Sequence, residues 1–321
     1  MASKSGLPSR PQVSHDTRVE ISVLVSDWEG HRLLDSGDGF KLEEIGGVRM
    51  IRSEPKAWWS KSLPAAEWAR AVAEHEEGGR EGRWKLKGNC PKEWETQLGK
   101  LRFQLRFMDN SKQFGVFAEQ SPHWKWVAAR PQKLEPRPRI LNLFGYTGAA
   151  SLGAAQAGWH VTHVDASKPA VAWGRRNQEL SGMAEEPIRW IIEDAMTFVK
   201  REVKRGNKYE AIMLDPPAFG RGPTGEFWKV ERDLAPLLRA CRELLSPQAQ
   251  FSLLTGYTID ASSILCHNRL EENTRGLGGK MDIGELALKQ EGAGRLLPLS
   301  LWGRWTAAGK ASARALGCIR L

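Results

Sequence analysis

Cysteine is scarce in this chain, and its few cysteines are widely spaced. Four occur in 321 residues without forming a Cys-x-x-Cys pair, at Cys90, Cys241, Cys266 and Cys318. This spacing argues against a structural zinc site and against a disulfide framework. We therefore expect no bound metal, and reduced thiols like those of proteins in the reducing cytoplasm.

Long apolar segments are also missing. No uncharged apolar run reaches the roughly 18 residues that a membrane-spanning helix needs. The polar start of the chain lacks the apolar core of a secretion signal. We accordingly expect a cytoplasmic protein without membrane contact. A hydrophobic content of 41% with 26% charged residues is typical of a globular protein.

Acidic residues are outnumbered by basic ones. The chain has 38 Asp and Glu against 47 Lys and Arg, which gives a formal net charge of +9. A positive surface raises the rate of encounter with phosphate-rich partners such as nucleic acids. Many basic proteins bind no nucleic acid, so the charge favours such a partner without identifying it.

The sequence predicts two domains that differ in their pattern of elements. Prolines crowd into the stretch between them, where they disfavour helix and sheet, so this stretch is interpreted as a linker. The polar residues at the start are expected to form a flexible tail. The predicted limits are a tail at 1–18, a β-rich domain at 19–130, a linker at 131–138 and an α/β domain at 139–321.

Short runs in which apolar and polar residues alternate predict the β-rich domain. Such alternation is typical of half-buried strands. We predict strands at 19–25, 48–52 and 101–107 and one helix at 65–74.

Strands and helices alternate along the second domain. At this spacing they predict a mostly parallel sheet with crossover helices, an α/β fold. The predicted strands lie at 140–144, 160–164, 190–192, 211–214 and 250–254, and the predicted helices include 170–180 and 231–245. Two last strands, at 285–290 and 297–305, are expected to form an antiparallel hairpin on the edge of the sheet.

The first strand of the α/β domain ends in a glycine turn, Gly145-Tyr146-Thr147-Gly148, followed by a helix rich in Ala and Gly. Glycine lets the backbone approach a ligand closely, and the helix start offers unpaired N–H groups. By itself this turn fits a nucleotide site or simply tight packing.

Carboxylates follow the next two strands. Asp165 comes about 20 residues after the glycine turn, where an acidic side chain accepts both ribose hydroxyls of an adenosine ligand. An N-cap of the following helix is the alternative role. Asp194 ends the third strand and could accept from an adenine amino group. Turn, ribose acceptor and base acceptor thus follow in sequence order.

The fourth strand ends in Asp215-Pro216-Pro217-Ala218-Phe219. Two consecutive prolines fix the backbone and are expected to leave carbonyls without local donors. Together with Asp215, such carbonyls can hold an amine or a planar base, although a plain strand-ending turn is the alternative. Ligands of open α/β sheets bind beyond the carboxyl ends of the strands, where all four features are expected to converge.

These motifs resemble those of class I S-adenosylmethionine (SAM)-dependent methyltransferases. They are more closely similar to the large-subunit ribosomal RNA methyltransferase family with an N-terminal extension. The resemblance covers about residues 113–305 and is carried by the segments 141–148, 164–168 with Trp173 and Asn177, 193–195, 215–220 and 115–120. It implies SAM as the cofactor, RNA as the partner and a Rossmann-like class I methyltransferase domain preceded by a smaller β-rich domain.

The resemblance also implies which residues bind the cofactor. In the family, the aspartates at the Asp165 and Asp194 positions bind the ribose and adenine of SAM, and the glycine turn faces its methionine part. The implied cofactor site is Phe117, Gln120, Asn142, Phe144, Gly145, Tyr146, Thr147, Gly148, Asp165, Ala166, Ser167, Asp194, Ala195 and Asp215. The implied catalytic set is Asp215, Pro216, Pro217 and Phe219.

Two departures from related patterns bear on the chemistry. Phe144 stands where many methyltransferases have their first glycine, although this family often has Phe there. Family members that methylate cytosine C5 carry a nucleophilic cysteine just after the fifth strand, and 251–257 contains none. C5 of cytosine is a poor nucleophile until a thiolate adds to C6. Cys266 would supply that thiol only if its loop folded back.

We therefore predict direct attack by a substrate nitrogen or oxygen on the methyl group of SAM. The enzyme would align donor and acceptor and exclude water. Asp215 would orient or deprotonate an amine, and Phe219 or Tyr257 would stack on the base.

The N-terminal domain contains segments in which aromatic and basic residues alternate, at 56–59, 83–87 and 123–126. Stacking surfaces beside cations suit single-stranded or looped RNA. The alternative is that the tryptophans fill a small core while the lysines face solvent. Further cations expected near phosphates are Arg221, Lys229 and Arg232, whereas His123 is interpreted as a structural hydrogen-bonding residue.

The leading hypothesis is a SAM-dependent methyltransferase that acts on a base of ribosomal RNA. A methyltransferase for protein or small molecules is the second, and weak, salt-insensitive RNA binding would favour it. A non-catalytic SAM- or RNA-binding factor is the third, although the intact Asp215-Pro216-Pro217 motif argues against it. The sequence does not specify the modified atom or the oligomeric state.

Overall fold

A computed structural model describes residues 19–76, 82–109, 111–130, 135–222, 224–257, 259–309 and 318–319. The predicted tail at 1–18 and the linker residues 131–134 lie outside the described residues. No helix of the described residues is long and apolar enough to cross a membrane. No group of three or more His, Cys, Asp or Glu suited to a metal ion occurs within these ranges.

The elements of the N-terminal half are mostly strands. They are β1 (Ile21–Val25), β2 (His31–Gly37), β3 (Phe40–Ile45), β4 (Val48–Ser53), α1 (Ala65–Ala69), β5 (Ala73–Glu76), β6 (Arg83–Leu86), β7 (Glu93–Leu98) and β8 (Leu101–Arg106). A 3-10 turn, η1 (Ala118–Gln120), leads into α2 (Ser121–Ala128).

Strands and helices alternate in the C-terminal half. Its first elements are β9 (Arg139–Leu143), α3 (Ala149–Gln156), β10 (His160–Asp165), α4 (Lys168–Leu180), β11 (Ile188–Ile192), α5 (Ala195–Lys204) and β12 (Ala211–Leu214). They are followed by β13 (Phe219–Arg221), β14 (Phe227–Lys229), α6 (Val230–Leu244), β15 (Phe251–Tyr257), α7 (Ser263–Thr274), β16 (Lys280–Lys289), β17 (Leu296–Thr306) and β18 (Cys318–Ile319).

A large sheet forms the centre of the protein, in the order β11-β10-β9-β12-β15-β17-β16-β1-β18. The first five strands in this order, β11-β10-β9-β12-β15, are parallel to one another, which confirms the predicted α/β fold. The chain leaves β9 for β10 on one side and later places β12 on the other. Ligands bind at such a topological switch point, so the fold directs a site to the end of β9.

Helix α6 shows how the sequence attaches helices to this sheet. Its buried residues recur at helical spacing: Leu234 is three and four positions before Leu237 and Leu238, and Cys241 is four and three positions after them. They therefore form one apolar stripe. The stripe packs into one core with Leu141 and neighbouring apolar residues of the sheet.

The predicted C-terminal hairpin is antiparallel, with β16 paired to β17. Its predicted position on the sheet edge is wrong, because β1 pairs in parallel with β16 from Ile21–Ile283 to Val25–Ala287. The short strand β18 then pairs with β1. Gly284 permits the approach, since a Cβ there would lie 1.7 Å from the Ser22 carbonyl oxygen.

The remaining N-terminal strands form a five-stranded sheet, β2-β3-β4-β5-β6, and a two-stranded ribbon, β7-β8. The predicted helix at 65–74 is too long, because only Ala65–Ala69 is helical. From residue 73 the backbone is strand β5, with Ala73 and His75 buried and their neighbours more exposed. This alternation has the period of two that strands require.

The N-terminal half and the large sheet share a hydrophobic core. Trp28 contacts Phe103 and Trp124 with ring centroids 6.0 and 6.1 Å apart, and the same core includes Ile140 and Phe251 of the large sheet. The interval 19–130 therefore contributes one strand to the large sheet and helix α2 to its flank. The predicted domain limits themselves remain a prediction.

Candidate active site

The carboxyl ends of β9, β10, β11 and β12 surround a cavity of about 320 Å³, which we call the main cavity. The sequence-predicted residues that line it are Phe117, Gln120, Phe144, Tyr146, Asp165, Ala166, Ser167, Asp194, Ala195, Asp215, Pro216 and Pro217. A smaller cavity of about 60 Å³ adjoins it and is lined by Asn142 and Gly145 as well. Most of the predicted site is thus brought together.

Three predicted residues do not line either cavity. The Thr147 hydroxyl donates to the Gly115 carbonyl, and Gly148 begins helix α3 against Trp190. These two residues stabilise the turn without lining a cavity. Phe219 is 74% exposed on the β13–β14 hairpin, so the structure does not bring its ring to the site.

The glycine turn has an unusual backbone that its neighbours hold in place. Phe144 and Tyr146 adopt φ values of 58° and 50°, which are costly for residues with a Cβ. At Gly145 a Cβ would lie 2.4 Å from the buried ring of His163. Glycine is therefore required at 145 for packing, and the strained turn holds Tyr146 in the cavity wall.

Asp165 is held by two backbone donors. Its Oδ2 accepts from the Tyr146 N–H and its Oδ1 from the Ser167 N–H, each at 2.8 Å. The N-cap of α4 is Ser167, whose hydroxyl accepts from Ala170 at 3.3 Å, so the alternative cap role does not fall to Asp165. Burial raises the pKa of Asp165, while the two N–H groups lower it. Each carboxylate oxygen keeps room for a further donor.

Asp194 combines two positions. It is the N-cap of α5, where its Oδ1 accepts from the Thr197 N–H at 2.8 Å. It also lines the main cavity, half-buried at the end of β11. A carboxylate at this place is stabilised by the helix start and still has an oxygen for a ligand.

Asp215 lies between the two cavities and has two side-chain donors. The Thr255 hydroxyl donates to Oδ1, and the Gln120 amide donates to Oδ2 at 3.2 Å. Burial raises the pKa of Asp215 to about 6, although the Thr255 hydrogen bond opposes the rise. A carboxylate with a pKa this close to neutrality is suited to accept a proton or a hydrogen bond.

The expectation of free carbonyls at the double proline is wrong for one of them. The Trp228 indole N–H donates to the Pro217 carbonyl at 2.7 Å. Trp228 also packs on Phe144 with centroids 5.0 Å apart, which links the β13–β14 hairpin to the glycine turn. The second proline is therefore anchored rather than available to a ligand through its carbonyl.

Three aromatic rings, of Phe117, Tyr146 and Tyr257, contact one another in the wall of the main cavity. Phe117 contacts Tyr146 and Tyr257 with centroids 5.6 and 5.4 Å apart, in edge-to-face geometry. Gln120, at the end of η1, is buried beside Asp215. The segment predicted to cover the cofactor thus lines the cavity, and of the two rings predicted to stack on a base, Tyr257 lines it while Phe219 does not.

Cys266 does not reach either cavity. Its side chain is 2% exposed in helix α7 and faces Gly303 of β17. Burial raises the pKa of its thiol to about 12. The structure therefore does not place this thiol at the site, as the alternative of a catalytic Cys266 would require.

The tryptophans of the aromatic and basic segments are mostly packed. Trp58 is 90% exposed, whereas Trp124 is buried in the shared core. Trp59 and Trp84 are half-buried, and their indole N–H groups donate to backbone carbonyls. Trp126 lies between two guanidinium groups, 3.9 and 4.1 Å from its ring. Most of these tryptophans therefore pack within the protein, and Trp58 is the one with an open ring surface.

The remaining residues singled out beside these segments also differ in their surroundings. Arg221 lines the main cavity, whereas Arg232 of α6 pairs with Asp233 at 2.7 Å and donates to the Phe227 carbonyl of the β13–β14 hairpin. His123 was expected to be a structural hydrogen-bonding residue. It is buried against Trp302 and lines the smaller cavity, and neither ring nitrogen has a hydrogen-bond partner among the described residues.

Sequence reasoning missed two residues that organise the site. Thr255 fixes Asp215 from the neighbouring strand β15, and Trp228 anchors Pro217. A threonine directly after the strand residues 251–254 is a signal for such a role, because a buried hydroxyl requires a partner. Trp228 had no comparable local signal.

Comparison with known proteins agrees with this geometry. The sequence profile of the S-adenosylmethionine-dependent methyltransferase family matches residues 59–286, more than half of the chain. A solved SAM-dependent methyltransferase from Agrobacterium tumefaciens is 43% identical with a TM-score of 0.84, covering 88% of this chain and 93% of that one. A putative SAM-dependent methyltransferase from Streptococcus mutans, 15% identical with a TM-score of 0.65 and covering 86% and 75%, shares the fold.

Curated relatives resemble a smaller part of the chain. Ribosomal RNA large subunit methyltransferase K/L of Hahella chejuensis is 36% identical over 135 residues, 41% of this chain and 18% of that protein. The protein of the same name from Shewanella frigidimarina is 37% identical over 113 residues, 35% of this chain and 16% of that protein. The matched region is thus less than a fifth of either relative. The extent of the family match, together with the fold and the cavity, establishes that this chain belongs to the S-adenosylmethionine-dependent methyltransferase family, with SAM as its methyl donor.

Proposed function

We propose that this methyltransferase modifies a base of ribosomal RNA at a nitrogen or oxygen atom by direct methyl transfer. The observation that carries the proposal is Asp215, whose pKa is raised by burial and which Thr255 and Gln120 hold between the main and the smaller cavity. The buried position of Cys266 argues against a cysteine-dependent route. The names of the curated relatives favour ribosomal RNA as the acceptor. Such a substrate favours a cytoplasmic location.

The described residues fit the adenosine end of SAM. Each oxygen of Asp165 accepts one backbone N–H and keeps a further acceptor position, as two ribose hydroxyls require. Asp194 would accept from the adenine amino group, and the turn at Tyr146 would face the methionine part. When bound, SAM supplies an activated methyl group.

The chain's own residues would act on the acceptor base. Asp215 would accept a hydrogen bond from an amine of the base and take up its proton. Tyr257 and Phe117 would stack on the base or exclude water, and Gln120 would keep the carboxylate oriented. Positioning and water exclusion are the main contributions expected of such a site.

The proposal is tested with labelled SAM and total RNA from a strain that lacks the gene. After incubation, the RNA is digested to nucleosides and analysed by mass spectrometry, with Asp215→Ala as the control enzyme. A labelled nucleoside made by the wild type alone would support the proposal and identify the methylated atom. A label on 5-methylcytidine, or on protein or metabolites in place of RNA, would overturn it.

Replacing Cys266 with alanine is expected to leave the methyl-transfer rate within about twofold of wild type, because the thiol lies in the core. The measurement is the initial rate of label transfer to RNA, with protein concentration corrected for the folded fraction. A loss of activity in folded protein, with a trapped enzyme–RNA adduct in the wild type, would show that the thiol is a nucleophile.

An Asp194→Ser variant separates the helix-capping role of Asp194 from its proposed contact with adenine. Serine retains the N-cap of α5, so unfolding free energy should change by less than about 0.5 kcal/mol. The hydrogen bond to adenine would be lost, so the Kd for SAM should rise about tenfold. Asp194→Ala, which also loses the cap, serves as the comparison. An unchanged Kd in the serine variant would assign Asp194 to helix capping alone.

A further inference from the structure

A second large cavity adjoins the main cavity and shares Met108 with it. We call it the flanking cavity. Its volume of about 530 Å³ falls within the range of ligand sites. It is lined by residues of β6, of the start of β7 and of the end of β8, namely Arg83, Trp84, Leu86, Lys92, Glu93, Arg106, Phe107, Met108 and Asp109.

The aromatic walls of the flanking cavity are held in fixed positions. Trp84 and Phe107 contact each other with centroids 4.5 Å apart, and Phe107 also packs on Trp94 at 4.7 Å. The Trp84 indole donates to the Ser111 carbonyl at 2.8 Å. Both rings remain half-buried at the cavity wall. Fixed ring faces of this kind provide a platform on which a base can stack at little entropic cost.

The charges of the flanking cavity favour an anion. Three cations line it, Arg83, Lys92 and Arg106, against the carboxylates of Glu93 and Asp109. Arg83 also pairs with Glu76 at 3.7 Å, on a largely exposed side chain. Glu93 is engaged by the Gln104 amide at 2.8 Å. The Arg106 guanidinium lies 4.3 Å from the centre of the Trp173 ring, which orients it. Cations around aromatic faces match a nucleotide, which has both a phosphate and a planar base.

The two cavities share one lining residue, Met108. The Tyr146 hydroxyl donates to the Met108 sulfur at 3.4 Å, so the glycine turn itself contacts the shared wall. A polymer whose reacting unit occupies the main cavity can therefore place an adjacent unit in the flanking cavity.

We propose that the flanking cavity binds a nucleotide next to the methylated one on the same RNA strand. Its base stacks on Trp84 or Phe107, and its phosphate lies towards Arg83 and Lys92. This inference rests on RNA being the substrate and adds a sequence-context site to it. An acidic protein segment is the competing occupant, and it would use the cations without the ring faces.

The test compares two double variants with equal numbers of reversed charges. Arg83→Glu with Lys92→Glu alters the flanking cavity, whereas Lys100→Glu with Lys200→Glu alters exposed lysines outside it and outside the aromatic and basic segments. The probe is total RNA from the strain lacking the gene, methylated with labelled SAM at several salt concentrations. The Kd for SAM is measured on each protein as a check of the main cavity.

The cavity variant should require about tenfold more RNA for half-maximal methylation, and its salt dependence should weaken by about 0.7 in log–log slope, the value expected for one phosphate. The control variant should change neither quantity, and SAM affinity should stay constant in both. Equal effects in the two variants, or none, would overturn the flanking site. Competition by polyphosphate as strong as that by oligouridylate would also overturn it, because polyphosphate has no base to stack. If the wild type labels no RNA, the proposed function fails and the flanking site with it.

Discussion

An Asp215→Asn variant is expected to lose methyl transfer and to gain stability at neutral pH. The rate should fall about 10²- to 10⁴-fold, the range for removal of a positioned general base. Asparagine keeps the size of the side chain and can still accept from Thr255 or Gln120. The loss would therefore report on the carboxylate charge rather than on a collapsed site.

The gain in stability follows from the raised pKa. An aspartate in water has an ordinary pKa of 3.8, whereas Asp215 in the folded protein has a pKa of about 6, so folding favours its protonated form. The favourable contribution of the bound proton is complete below about pH 4 and is lost as the pH rises through 6. Above that pH the charged carboxylate costs about 3 kcal/mol, at about 1.4 kcal/mol per pKa unit. Asparagine avoids this cost.

Urea unfolding from pH 4 to pH 8 measures the effect. The difference in unfolding free energy between the variant and the wild type should be near zero at pH 4 and increase towards pH 8. Asp233→Asn is the matched control, since the pKa of Asp233 is lowered by Arg232 and its amide should give no such gain. A variant less stable than the wild type at pH 8 would contradict the raised pKa.

The same titration predicts the activity profile of the wild type. Protonation of Asp215 removes the group that accepts from the amine, so kcat/KM should fall as the pH drops through about 6.

Local sequence signals were sufficient to predict the parallel strands and the carboxylates at their ends. A strand that stops at Gly145, Asp165, Asp194 or Asp215 is recognisable because apolar runs and their terminating residues are adjacent in the chain. The main cavity then follows from topology, since parallel strands end on one edge of the sheet. Asp165, Asp194 and Asp215 line the main cavity, and Gly145 lines the smaller one.

Features that depend on distant partners were not predictable in this way. The parallel pairing of β1 with β16 joins residues about 260 positions apart, and no turn between them fixes the register. Gly284 in strand β16 is a local sequence signal for this pairing, because a glycine within a strand often marks a close backbone approach. The exposure of Phe219 was likewise not predictable, because it depends on the β13–β14 hairpin, which Trp228 links to Pro217.

An Asp165→Ala variant is expected to lose SAM affinity without a matching loss of kcat. Hydrogen bonds to a carboxylate contribute about 1.5–3 kcal/mol each. Loss of two ribose contacts, at the lower end of this range, should raise the Kd about 10²-fold. Asp165→Asn, which keeps one acceptor oxygen for the Tyr146 N–H, should raise it about tenfold. The exposed Asp27, paired with Lys125 at 2.7 Å, provides an alanine control with unchanged Kd.

Kinetics at saturating SAM distinguish Asp165 from Asp215. Asp165 contacts a part of the cofactor that is the same before and during the reaction, so kcat should stay within a few-fold of wild type when SAM is saturating. In the proposed arrangement Asp215 contacts the acceptor, so its loss should lower kcat at any SAM concentration. If Asp165→Ala lowered kcat while Asp215→Asn raised the Kd, SAM would lie in the main cavity in the reverse direction. The methyl group would then be at the β10 end, and the assignment of both carboxylates would have to be exchanged.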